Sequence, residues 1–291
     1  MCGRYALTVE PEVLYGTFAA DLDDGVGGPA ALYGGDAPRP RYNIAPTVTV
    51  PVVRLDPRRT AEHADGGGRR QVEPMRWGLV PSWAKDVSVG NRMFNARAES
   101  LAEKPAFRRA LAKRRCLIPA SGWFEWRKLG EPAGNRKVPK QAYYMTPQDG
   151  SVLAFAGLWE YWKPAGDPAD EHDPAPVVSM TIVTTASVGP LRDIHERMPL
   201  VLPSSEWTDW LSPAIDPTPL LTPTPAALVD ALELRPVGPR VGAVVNDDAD
   251  LLRPVTPAGA DDAEPVQAHR DRDPAAAGSG EQLSLEFPNP R

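Results

Sequence analysis

Apolar residues in this chain come in short runs, over 48–55, 116–119, 142–145, 152–159, 177–185 and 200–202, and each run predicts a β-strand. Helical spacing is rarer. It marks 9–19, 99–113, 204–211 and 224–232, and a turn is predicted over 187–194 with Ser187 as its cap. Pro, Gly and acidic residues interrupt the pattern at 21–40, 56–70, 127–140 and 163–176, which read as surface loops inserted into a domain. Strands outnumber helices and follow no βαβ rhythm, so the expected class is α+β and mainly β. From about 246 the composition turns to Asp, Ala, Pro and Gly, and no core face can be drawn. The expected organisation is one domain over 1–245 and a disordered acidic tail over 246–291.

At 291 residues, 42% of them hydrophobic, the chain can bury a sizeable core. No apolar run nears the roughly 20 residues of a bilayer span, and the first residues lack the basic and apolar regions of a secretion signal. Cys2 and Cys116 build no disulfide framework, and His63, His172, His195 and His269 include no pair at zinc-ligand spacing. The expectation is a cytosolic protein with neither metal nor cofactor. Cys116, in an apolar run, reads as a buried inert thiol.

The net charge of −6 speaks against a nucleic-acid ligand, but its distribution speaks for one. Residues 69–140 carry 17 Lys or Arg against 6 Asp or Glu, while 246–291 carry 4 bases against 10 acids. A segregated basic block is the footprint of a phosphate-binding face; solvated helix faces around Lys104 to Arg115 are the plainer alternative.

Against that background, Cys2 behind Met1 stands out. Removing one methionine would leave a 1,2-aminothiol, whose nitrogen captures an aldehyde as an imine and whose sulfur closes it to a five-membered thiazolidine. An α-amine near 7.8 rather than 10.4 leaves roughly 300-fold more unprotonated nitrogen than a lysine at neutral pH, and only that form attacks carbonyls. Trp77, Trp83, Trp123 and Trp126 lie beside the basic block, where exposed rings suit unstacked bases; core packing is the alternative. Glu125, flanked by aromatics, suits general acid or base work. His195, in a tight turn before Pro199, is a candidate proton shuttle. Asn95 and Arg97, two apart on a strand, would share a face that recognises a sugar hydroxyl and a phosphate.

Taken in order, Met1-Cys2-Gly3-Arg4, Tyr42-Asn43-Ile44-Ala45-Pro46-Thr47, Arg76-Trp77-Gly78-Leu79-Val80-Pro81-Ser82-Trp83, Phe94-Asn95-Ala96-Arg97-Ala98-Glu99-Ser100, Gly122-Trp123-Phe124-Glu125-Trp126, Phe155-Ala156-Gly157-Leu158-Trp159 and Ile194-His195-Glu196-Arg197-Met198-Pro199 resemble the SOS-response-associated peptidase family over roughly 2–245. The resemblance implies an α+β fold: a curved, barrel-like, mainly antiparallel sheet with flanking helices. It implies a monomer, cytoplasmic and at the nucleoid during repair, that crosslinks itself to abasic sites in single-stranded DNA, with lyase-type chemistry and self-catalysed loss of Met1. Carried over by position, Cys2 is the nucleophile, Asn95 holds the opened sugar, and Glu125 and His195 handle protons. Arg4 and Arg97 grip phosphates, Trp77 and Trp83 meet bases, Pro46 shapes the pocket, and Thr184 adds a hydroxyl. In the tail, Gln282, Leu283, Leu285 and Phe287 resemble a peptide that docks on the bacterial sliding clamp.

Two other functions stay open at this stage. One is a cysteine peptidase or amidohydrolase using Cys2 with His195 and Glu125. The other is a non-covalent single-strand binder in which Cys2 is incidental.

Overall fold

The structure, a computed structural model, describes residues 2–22, 28–34, 39–56, 68–131, 138–164 and 176–257. The first half supplies β1 (Tyr5–Leu7), α1 (Pro11–Phe18), β2 (Ala20–Leu22), β3 (Arg41–Ile44), β4 (Thr49–Leu55), β5 (Arg70–Trp77) and β6 (Asn95–Arg97). Next come α2 (Pro105–Lys113), β7 (Arg115–Ala120), β8 (Gly122–Lys128), β9 (Lys140–Pro147), β10 (Leu153–Trp162) and β11 (Val177–Ala186). The last are β12 (Arg197–Pro199), α3 (Trp207–Leu211), α4 (Ala226–Asp230) and β13 (Leu232–Val237). Pro11 and Pro105 open α1 and α2 at positions where a missing N–H costs nothing.

Two sheets form, ordered β12-β11-β10-β7-β4-β5-β2 and β13-β9-β8-β1-β3. In the first, β11 also pairs in parallel with β5, at Ser179↔Arg76 and Met180↔Trp77, which closes β4, β5, β11, β10 and β7 into a ring. Most other ladders are antiparallel, so the architecture is the curved, barrel-like α+β fold expected. Closure needs close backbone approach at Gly157 of β10, where a Cβ would strike Ile118 and the Cys116 sulfur. Cys116 is buried inside this core, and burial pushes its thiol well up, leaving it inert as expected.

Arg115, only 2% exposed, joins helices to barrel. Its guanidinium donates to the carbonyls of Leu111 and Ala112 at the end of α2, and to Trp210, Ser212 and Ile215 at and beyond α3. One cation thereby satisfies carbonyls that two helix ends leave without intrahelical donors.

The second sheet is covered on its far face by the segment after β13, where Val241 and Leu251 pack on Ala6, Phe124 and Tyr144. Asp247 accepts from the backbone N–H groups of Tyr42 and Asn43 and from Arg41 Nε, while Asn43 Nδ2 donates to three carbonyls of 241–246. The compact unit therefore runs to Pro257, past the boundary placed at 245 from composition. Asp247 and Asn246, acidic and polar in sequence, act here as anchors. The remaining tail, with the peptide at 282–287, lies outside the described residues, and no described helix is long and apolar enough to cross a membrane.

Candidate functional site at the amino terminus

β1 is threaded between β8 and β3, with Tyr5 opposite both Trp123 and Ile44, and Phe124 N–H donates to the Arg4 carbonyl at 3.0 Å. That insertion carries Cys2, three residues earlier, into the core with no exposed surface. Asn95 Nδ2, at the start of β6, donates to the Cys2 carbonyl at 2.7 Å. Asn95 Oδ1 is buried and makes no hydrogen bond, a free acceptor near Cys2. Burial pushes the Cys2 thiol well above its ordinary value, and the Glu125 carboxylate adds to the effect.

Glu125 sits on β8 between Phe124 and Trp126, buried, and burial raises its carboxyl from 4.5 to about 7; the charges of the chain's amino terminus and of Lys140 pull the other way. His195 follows a 3-10 turn (Gly189–Asp193). Its Nδ1 accepts from Arg197 N–H at 3.0 Å, which in the neutral ring places the proton on Nε2. The Arg197 carbonyl lies 3.1 Å from the same nitrogen, so a charged ring has an acceptor ready. Burial lowers the His195 pKa, and the amino-terminal charge lowers it further, which favours the neutral ring.

Arg197 holds this turn in place. Its two terminal nitrogens meet the two Glu99 oxygens at 2.7 and 3.0 Å, and Nη2 also donates to the Thr184 carbonyl at 2.5 Å. Glu125 and His195 line one narrow cavity, too tight to hold a water molecule, with Ser187, Arg197, Trp123 and Met198. Ser187 does not cap the turn that follows it; its hydroxyl is buried, without a partner, facing this cavity.

The structure thus brings Cys2, Asn95, Glu125 and His195 into one neighbourhood. Arg97 stays exposed on β6, two residues from Asn95, and Arg4 is half-buried, donating to Gly3 O at 3.1 Å and Gly242 O at 3.5 Å. Pro46 is half-buried in the turn after β3, beside Thr47 at φ 82. Trp83 is 65% exposed.

Two expected DNA contacts are corrected. Trp77 has no exposed surface: its Nε1 donates to Phe94 O at 2.8 Å and its ring meets Tyr5 edge-on, so it serves the core and presents no face to a base. Thr184 is equally buried, its hydroxyl on the Ala96 carbonyl at 3.5 Å and near Arg197, so it ties β6 to β11. Glu99 and Arg197 had no role assigned from sequence, and Ser187 only that of a cap. The first two stood in plain view within motifs, but pairing across 98 residues has no local signature.

The basic block also resolves into two groups. Arg70, Arg76, Arg114 and Arg115 are engaged internally, by Phe18 O and Thr208, Asn91, Glu160, and carbonyls respectively. Lys85, Arg92, Arg97, Lys104, Arg108, Arg109, Lys113, Arg127, Lys128 and Lys140 remain exposed.

These features define an α+β barrel protein built around a buried cysteine at position 2, a carboxyl and an imidazole. The chain belongs to the SOS response associated peptidase (SRAP) family, whose family model matches residues 1–244. Abasic site processing protein YoaM of Bacillus subtilis is 34% identical over 257 residues, covering 87% of this chain and 97% of its own. Mouse abasic site processing protein HMCES is 30% identical, covering 87% of this chain and 76% of its own. A solved protein of Bacteroides thetaiotaomicron shares the fold with a TM-score of 0.67 at 21% identity, over 88% of this chain and 100% of that one.

Proposed function

We propose that the mature chain, beginning at Cys2 once Met1 is removed, recognises an abasic site in single-stranded DNA and binds it covalently as a thiazolidine. The observation that carries this reading is the Asn95 hydrogen bond to the Cys2 carbonyl, which fixes the amino-terminal residue beside Glu125. The names of relatives covering most of this chain supply the lesion.

The abasic sugar opens by breaking its C1′–O4′ bond: O4′ takes a proton and the C1′ hydroxyl gives one up. With its carboxyl at about 7, Glu125 is present in both forms near neutrality and can donate to O4′ and accept from the hydroxyl. The Cys2 amine adds to the aldehyde carbon, and loss of water leaves an imine. The thiol then adds across the C=N bond, carbon to sulfur and proton to nitrogen. A deeply buried thiol needs a base for that transfer, and the Glu125 carboxylate is the group whose charge reaches it. His195, whose neutral form burial favours, is assigned proton transfer at the sugar oxygen and in reversal; its Nδ1 contact with Arg197 N–H supports a proton on Nε2. Asn95 Oδ1 offers an acceptor to a sugar hydroxyl, Arg4 and Arg97 hold phosphates, Trp83 stacks on a base, and Pro46 borders the pocket.

The alternative of a cysteine peptidase calls for a thiol activated by a neighbouring imidazole, with its pKa depressed. The Cys2 thiol is pushed upward instead, by burial and a carboxylate, which favours nitrogen as the first nucleophile. In the tail, Gln282, Leu283, Leu285 and Phe287 are proposed to dock on a sliding clamp.

The test is incubation of mature protein with an oligonucleotide bearing one abasic site, followed by denaturing electrophoresis. A denaturation-resistant band is expected. Cys2→Ser should remove it, and Cys2→Ala should retain only an imine that borohydride traps, with strand cleavage as the lyase by-product. A band of undiminished stability in Cys2→Ser refutes the proposal.

A further inference from the structure

We propose that Arg127, Lys128 and Lys140, at the turn end of the β8–β9 hairpin, form a phosphate-binding rim that holds the DNA backbone where it leaves the Cys2 site. The inference rests on the function proposed above and extends it to a contact that no motif in the sequence marks.

Lys128 and Lys140 stand directly opposite one another in the antiparallel ladder, with Arg127 next in line. Like charges so placed repel and weaken a hairpin. All three side chains are exposed, and none takes an ion pair among the described residues. Some bases of the block are engaged by the fold instead: Arg114 meets Glu160 at 2.6 Å, and Arg115 is wrapped in carbonyls. A hairpin end with three bases and no acid opposite, in a chain of net charge −6, is suited to an anion from outside.

Position ties the rim to the site. Arg127 follows Glu125 by two residues on β8, so both leave the same face of the sheet. The Lys140 charge is felt by both Glu125 and His195, which line the cavity described above. Arg97 lies on β6, in the other sheet, and Arg4 before β1. The rim therefore adds a third point of contact along the strand that carries Glu125. The chemistry it recognises is the phosphodiester, supplied by a single-stranded arm or by a duplex arm flanking the lesion.

The experiment uses the full chain and oligonucleotides carrying a tetrahydrofuran abasic analogue, which cannot open to an aldehyde, either wholly single-stranded or with one duplex arm. Binding is followed by fluorescence anisotropy as salt is raised. For Lys128→Gln/Lys140→Gln, the slope of log affinity against log salt should fall by about 1.4 on a single-stranded arm or about 1.8 on a duplex arm. The arm that shows the loss identifies the source of the phosphates. Lys140→Glu is the sharper variant, because opposite Lys128 it turns a repulsive pair into an attractive one. It should melt no lower than wild type, yet bind about 10-fold more weakly or worse. Wild-type slope and affinity in the double variant on both oligonucleotides overturn the rim alone. A wild-type protein that binds neither oligonucleotide overturns the proposed function and the rim together.

Discussion

Replacing Glu125 by Gln removes a charge from the buried site while keeping the side chain's length and shape. Burial holds the Glu125 carboxyl at about 7 against an ordinary 4.5. Each tenfold displacement of a protonation equilibrium is worth about 1.4 kcal/mol, so the ionised form weakens the fold by about 3 kcal/mol. A folded-state pKa above the unfolded one stabilises the fold below the unfolded value, and that contribution is lost as pH climbs to the folded value. Wild type should therefore lose about 3 kcal/mol through this residue between the two pH values, and Glu125→Gln none of it. For a domain of this size, that places the variant's melting temperature roughly 6–12 °C above wild type at about pH 8, shrinking towards nothing near pH 4.5. Crosslinking by the same variant should fall by roughly 10²–10⁴-fold, the usual reach of a general acid and base. Thermal melts at both pH values, with crosslinking rates alongside, read both effects. A gap that does not change with pH would falsify the assignment of a buried, proton-holding carboxyl.

Asn95→Ala should slow crosslinking by roughly 10- to 100-fold through lost positioning of Cys2, while one net hydrogen bond costs only about 1 kcal/mol in a denaturant titration; equal rates would remove the positioning role. Arg115→Ala strips the carbonyls at the ends of α2 and α3 of their donor and should cost about 3–5 kcal/mol, read as a lower denaturation midpoint without change in the chemistry of the remaining folded protein. Trp83→Ala should leave the melting temperature within a degree or two and weaken binding of the tetrahydrofuran oligonucleotide by about 5-fold or more. An unchanged affinity would take Trp83 out of the base-stacking role.

Local pattern revealed the strands that form most of the barrel wall: 48–55 became β4, 116–119 lies in β7, and 177–185 lies in β11. It missed β5, whose Gln71 and Glu73 break the apolar pattern yet are buried, Glu73 in an ion pair with Arg54 of β4. A polar face turned inward defeats hydropathy, because only the partner strand explains it. The ring closure is invisible for a related reason: β5 and β11 lie about 100 residues apart in sequence and pair over just two positions. The site was more legible, since Cys2, Asn95, Glu125 and His195 each stand in a distinctive motif. Exposure was not. Trp77 and Trp83 sit six residues apart in one motif, yet one is sealed in the core and the other faces solvent. Arg114 and Arg115 belong to the basic block in sequence and to the scaffold in space.

The amino-terminal aminothiol is the centre of the proposed chemistry, and intact mass spectrometry of the adduct with an abasic oligonucleotide tests it most directly. The predicted mass is that of the chain beginning at Cys2 plus the oligonucleotide less one water, unchanged by borohydride because a closed thiazolidine has no imine to reduce. An adduct that still carries Met1, or one that gains mass on borohydride treatment, would contradict it.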